Sequence, residues 1–298
     1  MKKFWRYEKV EALEKYRKAG RIVSEILRDV PSKVEKGLSI IELAEWIEKK
    51  IEEKGGKPAF PCNISMNEDA AHDTPSPGDE RVFENQIVKI DIGVHVDGYI
   101  ADSAITVDLR GEERLVEASE RALEEAISIV RAGVKTGEIG KVIEETITSM
   151  GFRPVVNLGG HGLQRYDVHA PPHIPNRFIS SSSHVLQEGD VIAIEPFATD
   201  GAGKVAEINR VEIFRVSSLR PVRHPKAREL LEELKVYKGL PFCRRWINRE
   251  GIDFLLKQLR VSRVLESYPV LREVAGGLIS QFEHTVIVER DGCEVITA

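Results

Sequence analysis

The sequence predicts a mixed helix-and-strand fold in which one αβ unit occurs twice. Three observations carry that reading. A two-helix pattern recurs about 96 residues downstream. Strand-like stretches follow each helical pair. Acidic residues stand at strand positions where apolar side chains are the rule.

The elements follow in chain order. Residues 8–30 carry apolar side chains at helical spacing, among them Val10, Leu13, Ile22, Val23, Ile26 and Leu27. A second helix is predicted from Ser39, which stands to Glu42 as in a capping box. It runs through Leu43, Trp46, Ile47 and Ile51 to a stop at Gly55-Gly56, with Pro58 just beyond. Residues 112–132 and 137–150 repeat the pair. The same shift superimposes Gly37 on Gly133, Leu43 on Ile139, Ile47 on Ile143, Gly55 on Gly151 and Pro58 on Pro154. Any two amphipathic helices ending in glycine align to some degree; here the terminators agree as well as the apolar stripe.

The first strand pair is Ile87 to Val96 and Tyr99 to Val107, turned by Asp97-Gly98. In the second half Val191-Ile192-Ala193-Ile194-Glu195 reads as the matching outgoing strand, and Gln281 to Val288 as another. Between them, residues 217–277 are mostly helical in pattern and look like an insertion, while Ser180 to Ser183 reads as a solvated loop.

Composition narrows the function classes. The 298 residues suffice for one large domain or two modest ones, and 42% hydrophobic with 31% charged residues is ordinary for a globular chain. A net charge of −5 offers no global attraction to nucleic acid or to anionic membranes. Cys62, Cys243 and Cys293 are odd in number and far apart, which argues against a disulfide framework and for a reducing compartment. No apolar run approaches the ~20 residues that span a bilayer, and the amino terminus lacks an apolar signal core, so a cytoplasmic protein is expected.

Asp91 and Asp102 sit inside strands, where lone carboxylates are costly. With a two-residue turn at Asp97-Gly98, Val96 pairs with Tyr99, Gly93 lies opposite Asp102 and Asp91 opposite Ala104. The two acids then share a face as diagonal neighbours about 7–8 Å apart, with Gly93 leaving space between them. An odd bulge would break this register. Glu195 and Glu283 would occupy the corresponding places in the second half, and His161 is an imidazole flanked by Gly160 and Gly162 that the backbone can bring close to whatever it binds. Four carboxylates around one imidazole repel one another unless cations are present. Two divalent ions balance the charge and would acidify a shared water. Oxygen-rich ligation with one nitrogen suits Mn, Fe(II), Co or Zn. Taken singly, a strand-end aspartate is more often a turn former or ion-pair partner; five such residues together favour a metal centre.

The stretches Lys89-Ile90-Asp91-Ile92-Gly93, Ile100-Ala101-Asp102, Gly160-His161-Gly162, Ile194-Glu195-Pro196-Phe197 and Phe282-Glu283-His284-Thr285 resemble those of the methionine aminopeptidases. That resemblance implies an α+β, pseudo-symmetric pita-bread fold with an antiparallel sheet backed by helices. It also implies two divalent ions: Asp102 and Glu283 would bridge them, Asp91 would complete one, and His161 with Glu195 the other. Glu195 would also be the general base or proton shuttle. The segment Phe60 to Asn67 followed by Ala70-Ala71-His72 resembles the substrate side of these enzymes, making His72 a contact to the substrate backbone. Val168-His169 matches the second substrate histidine, with His169 steadying the tetrahedral intermediate. Phe60, Val168 and Phe197 are the candidate walls of a methionine pocket. The long gap between Glu195 and Glu283 is similar to the type 2 class, and the motif spelling to archaeal members. The catalytic domain would span 1–216 and 278–298, with 217–277 as the helical insertion.

The implied substrates are N-termini of nascent polypeptides with a small second residue, met as candidates at the ribosome; no membrane or direct nucleic-acid partner and a monomer are expected. Two competing readings remain. An Xaa-Pro aminopeptidase or dipeptidase of the same fold usually carries His-Glu after the metal histidine, whereas here Ala170 follows His169. A non-catalytic ribosome- or RNA-associated relative would lack ligands. Arg244-Arg245-Trp246 reads either as a partner contact or as the solvated basic edge of a packed subdomain. His173, after Pro171-Pro172, is read as a loop residue, as are His95, His184 and His224 as non-ligands; His284 should face away from Glu283. Cys62 has no activating base and is read as incidental.

Overall fold

The structure is a computed structural model and describes residues 2–180 and 184–298; of the serine run read as a loop, Ser181 to Ser183 lie outside the described residues. The helices are α1 (Lys2–Asp29), α2 (Ile40–Glu53), α3 (Glu113–Ser128), α4 (Thr136–Ser149), α5 (Pro225–Leu234) and α6 (Ile252–Val261). The strands of the first half are β1 (Lys57–Pro58), β2 (Asn63–Met66), β3 (Asp69–Ala71), β4 (Ile87–Val96) and β5 (Tyr99–Asp108). The second half has β6 (Arg153–Pro154), β7 (Gly159–Gln164), β8 (Asp167–Pro175), β9 (Val191–Ile194), β10 (Phe197–Thr199) and β11 (Val205–Val216). Then come β12 (Phe242–Cys243), β13 (Leu265–Glu273), β14 (Ile279–Gln281), β15 (His284–Val288) and β16 (Cys293–Val295).

The repeat read from the sequence is a repeat in space. Helices α2 and α4 start and end 96 residues apart, and so do β1 and β6. The glycines that end corresponding segments share the left-handed conformation, φ 79° at Gly55 and 89° at Gly151. Every named strand pairing is antiparallel: β2 and β1 flank β4, which also carries β5, while β7 runs between β8 and β9, and β9 is followed by β15 and β16. Each half packs its helices on its own sheet. Ile22, Val23, Ile26, Ile40, Leu43, Ile47 and Ile51 bury against β4 residues Val88, Ile90, Ile92 and Val94. In the second half Leu115, Ala122, Ile139, Ile143 and Ile147 bury against Ile192, Ile194, Val286 and Val288.

Two local expectations are corrected. Ser39 is the residue before α2, yet its side chain makes no capping bond; it forms a β-bridge with Val82 instead. The reciprocal contact appears in the second half, where the Lys135 amide donates to Glu138 Oε2 at 3.0 Å. The stretch 217–277 is also less helical than its pattern suggested. It contains α5 and α6, whose apolar faces (Leu230, Leu231, Leu234, Leu255, Leu256, Leu259) form a core of their own with Phe214 and Phe242. Its last arm, β13, is a strand along β11, from Val205 opposite Glu273 to Val216 opposite Leu265. The long strand β11 needs backbone partners on that edge, and the alternating Leu265 to Leu271 supplies them.

Candidate metal centre

The first two carboxylates are set by hairpin register. Asp97 and Gly98 both adopt positive φ, 53° and 89°, as a two-residue turn matched to the strand twist demands. The ladder then runs without a slip, placing Gly93 opposite Asp102 and Asp91 opposite Ala104. Gly93 does not leave open space between the acids. A Cβ there would run into the ring of Phe60, which closes over the glycine and forms one wall of the site. Asn63 of β2 lies beside Asp91 from the other edge.

Glu195 and Glu283 occupy breaks between strands, not strand interiors. The predicted strand Gln281–Val288 is interrupted at Phe282-Glu283, because Ile279–Gln281 pairs with β10 whereas His284 onward pairs with β9. The opposing chain breaks at the same level, leaving β9 at Ile194 and entering β10 at Phe197. Both carboxylates therefore sit where two chains change sheets together, and the Glu283 backbone bridges to Ala104 of β5 instead. Hydroxyl side chains stitch this junction to the first hairpin. Thr285 Oγ1 accepts from the Asp102 amide at 2.8 Å and donates to the Asp102 carbonyl at 2.7 Å. Ser103 Oγ donates to the Glu283 carbonyl at 2.5 Å, and the Glu283 amide donates to the Ala104 carbonyl at 2.9 Å. The sequence signal for Ser103 and Thr285 was small hydroxyls within otherwise apolar strands, a weak one.

His161 enters from the centre of the second sheet. Its flanking glycines serve the neighbouring strands: a Cβ at Gly160 would strike the Ala193 carbonyl of β9, and one at Gly162 the Pro171 carbonyl of β8. Nδ1 lies 3.3 Å from the Gly162 carbonyl, an acceptor, so Nδ1 carries the hydrogen and Nε2 presents a lone pair. That Nε2 is 3.7 Å from Glu195 Oε1 and 3.9 Å from Asp102 Oδ2, too long for hydrogen bonds. Donor atoms of Asp102, His161 and Glu283 lie within 4.8 Å of one another.

The electrostatics identify what such a cluster requires. Burial raises the carboxyl of Asp91 to about 7. Asp102 is pushed well above the usual range by burial and then by the charges of Asp91 and Glu195, and Glu283 by burial and then by those of Asp102, Glu195 and Asp91. Glu195 is raised by burial and by Asp91. Burial also lowers His161 to about 4, keeping it neutral and able to ligate. Asp91 Oδ1, Asp102 Oδ1 and Glu283 Oε1 are buried without any hydrogen-bond partner, a costly state. Partnerless acceptor oxygens around a neutral imidazole lone pair are the donor set of a divalent cation site, and the residues fit one.

These five residues line a cavity of about 290 Å³ together with Phe60, Val168, His169, Phe197 and His72. A larger cleft of about 550 Å³, between α2 and residues 236–246, is lined by none of the five. His72 has φ 64°. Its Nδ1 lies 3.2 Å from the Pro269 carbonyl, so the hydrogen is on Nδ1 and Nε2 is left as an acceptor. Burial lowers its pKa. The ring of His169 stands 4.8 Å from that of His161, edge to face. His169 is exposed at the cavity mouth, yet the cleft walls, followed by His161, His72 and Arg215, hold its pKa down. Tyr268, which sequence reasoning missed, stands 5.4 Å from His72 and 6.1 Å from His169. It belongs to β13, inside a stretch read as helical, so no strand alternation pointed to it. Leu158, Ile213 and Pro241 complete the walls and were missed for the same lack of a local signal.

The remaining histidines stay outside the cavity lining. His284 turns away from Glu283 to Thr297 Oγ1, 2.9 Å away. His173 is not in a loop: it is an exposed residue of β8 opposite His161 in the ladder. Cys62 is buried, and burial pushes its thiol well up, away from nucleophilic use. Arg245 is not on a solvated edge: its guanidinium forks onto Glu48 of α2 at 2.7 and 2.8 Å, and Trp246 Nε1 donates to the same carboxylate at 2.9 Å.

Comparison with known proteins agrees with this geometry. Residues 14–289 match metallopeptidase family M24. The chain belongs to that family. It is 50% identical to a methionine aminopeptidase of Archaeoglobus fulgidus over 96% of this chain and 99% of the relative. It is 52% identical to one of Thermococcus onnurineus, over 94% and 97%. A solved methionine aminopeptidase from Thermotoga maritima superimposes with a TM-score of 0.72 at 25% identity, covering 96% of each chain. The expected pita-bread fold is therefore the fold of this chain. Membership of a metallopeptidase family accords with divalent metal use, and the Asp102, His161 and Glu283 cluster is where these residues offer it. No helix among the described residues is long and apolar enough to cross a membrane.

Proposed function

We propose that this chain removes the initiator methionine from proteins whose second residue is small, acting as a methionine aminopeptidase. The observation that carries the reading is the convergence of partnerless carboxylate oxygens and one neutral imidazole in a cavity with an apolar side. The identity to named methionine aminopeptidases over nearly the whole chain supports the same activity.

Asp91, Asp102, His161, Glu195 and Glu283 would hold two divalent ions, of Co, Mn, Fe(II) or Zn. Bound there, the ions supply Lewis acidity that polarises a carbonyl and acidifies water. The chain's own groups do the rest. Glu195, a carboxylate with its pKa raised, holds and passes a proton from the attacking water to the departing amine. Gln281 Nε2, 3.4 Å from Glu195 Oε2, orients that carboxylate. His72, with only its Nε2 acceptor free, takes a hydrogen bond from the peptide N–H. His169, with no acceptor claiming its ring hydrogen among the described contacts, donates to the carbonyl oxygen as charge builds there. Phe60, Val168 and Phe197 bound the space for the methionine side chain, and Tyr268 and Pro241 bring the 217–277 insertion to the pocket rim. The substrates are polypeptide N-termini, and the ribosome is where they are first exposed.

The reading is tested by comparing release of methionine from Met-Ala-Ser with cleavage of an Xaa-Pro dipeptide, in protein reconstituted with each metal in turn. Turnover of the first peptide and not the second is expected. Preference for the Xaa-Pro peptide would replace it with the prolidase-type activity, and no turnover with any metal would refute a peptidase role.

A further inference from the structure

His72 sits on a three-residue stretch bounded by two buried carboxylates, and a single guanidinium ties them together. Arg210 Nη2 donates to Asp69 Oδ2 at 2.6 Å and to Asp73 Oδ2 at 2.7 Å. Each carboxylate has a second arginine behind it. Arg272 forks onto Asp69 at 2.6 and 3.0 Å, and Arg81 onto Asp73 at 2.8 and 3.2 Å. The Asp73 carboxyl is 1% exposed and that of Asp69 6%, so these bonds lie out of water, where charge-assisted pairs are strong and geometrically exacting.

The placement of Arg210 is unusual within its strand. The ladder between β11 and β13 loses register between Glu207 and Val211, and Arg210 lies in that irregularity. A bulge of this kind redirects a side chain. Here it sends the guanidinium to the stretch that holds His72 in a backbone conformation L-residues rarely adopt, φ 64°. The other hold on His72 is the Pro269 carbonyl of β13, the strand that also supplies Arg272.

We propose that Arg210 is a positioning residue for His72: by clamping Asp69 and Asp73 from one nitrogen, it fixes the left-handed turn that aims His72 Nε2 into the cavity. The inference rests on the aminopeptidase reading for its kinetic consequence, but not for its geometric one. Arg210 touches neither substrate nor cavity; it acts through the two aspartates. Because β11 leads into the insertion and β13 is its last arm, the clamp also ties the insertion to the turn carrying His72.

The test uses the full chain and four variants: Arg210→Gln, Asp73→Asn, His72→Ala and the double variant Arg210→Gln/His72→Ala. Arg210→Gln should lower kcat roughly 10- to 100-fold, the scale of misplacing one group by about an ångström, with KM for Met-Ala-Ser and bound metal per chain unchanged. The double variant should be no slower than His72→Ala alone, since the arginine has nothing left to position. Multiplying losses, a lost metal, or an unchanged kcat would overturn the proposal. Should Arg210→Gln fail to fold, Asp73→Asn takes the charge from one end of the same bridge with an isosteric side chain and is read by the same criteria. The ring resonances of isotope-labelled His72 should move in Arg210→Gln or Asp73→Asn while those of His284 do not. That spectrum decides the geometric claim even if the wild-type chain cleaves no methionyl peptide; an unmoved His72 ring overturns it.

Discussion

Glu195 and Glu283 face each other one step beyond the end of a ladder, since Ile194 and His284 form its last rung. Two acids opposed across paired chains destabilise the pairing unless a cation lies between them. Such an arrangement costs stability in the metal-free chain, and the consequences can be measured.

Replacing Glu283 with Gln should remove one of the repelling charges while keeping the shape. The metal-free variant is expected to be more stable than metal-free wild type by on the order of 1–2 kcal/mol, read as a midpoint higher by roughly 2–4 °C for each kcal/mol. Divalent ions should no longer raise that midpoint, and turnover should vanish. A less stable apo variant that still binds two metals would contradict the assignment.

The stability of the chelated protein should depend on pH in a definite direction. Asp91 is raised from 3.8 to about 7, and Asp102, Glu195 and Glu283 are pushed well above their ordinary values. For such groups the folded chain binds more protons, so their stabilisation is present below the unfolded pKa and is lost as pH rises through the folded one. His161 is lowered from 6.5 to about 4, so its contribution is full above 6.5 and falls away as pH drops towards 4. Between 4 and 6.5 the two trends oppose. Among the groups of this cluster only the carboxylates act from 6.5 upward, and chemical denaturation should show stability falling from pH 6.5 to 7; above 7 the buried Lys89, lowered from 10.5 to about 7, pulls the other way. Saturating divalent ion should flatten that slope; a rise across this window without metal would be inconsistent with the cluster.

His169→Ala should leave the carboxylate cage intact. We expect kcat to fall roughly 10²–10³-fold, the usual loss for one donor to a developing oxyanion, with metal content and KM little changed. Steady-state kinetics alongside elemental analysis makes the check.

Gly93→Ala should act on the substrate and not on the ions. The added methyl meets the Phe60 ring, which has to swing out of the wall it forms. An overpacking cost of about 1–3 kcal/mol and a raised KM for methionyl peptides are expected, with metal stoichiometry preserved. Urea unfolding and peptide kinetics would show whether the two effects appear together.

Much of this was legible in one dimension. The repeat was readable because helix terminators recur with the stripes, as at Gly55 and Gly151, and hairpin register was readable because Asp97-Gly98 fixes it locally. What failed did so where pairing is long-range. The strand Leu265–Glu273 was assigned to a helical region since its partner, Val205–Val216, lies 49 to 68 residues away in sequence. Glu283 was placed inside a strand because nothing local marks a change of sheet. Arg245 was read as exposed because its partner Glu48 is 197 residues distant.

The sequence by itself therefore determined the chemistry available: four acids and an imidazole in stretches whose local periodicity assigns them to strands or turns. Backbone periodicity and turn geometry are short-range, so residue order encodes them directly. Only the tertiary structure decided that these groups meet, that Tyr268 and Pro241 close the cavity, and that Arg210 reaches Asp69 and Asp73. Those contacts join segments far apart in sequence, 59 residues for Asp102 with His161 and 141 and 137 for Arg210 with Asp69 and Asp73, and their position depends on burying two separate cores at once, a condition no local pattern carries.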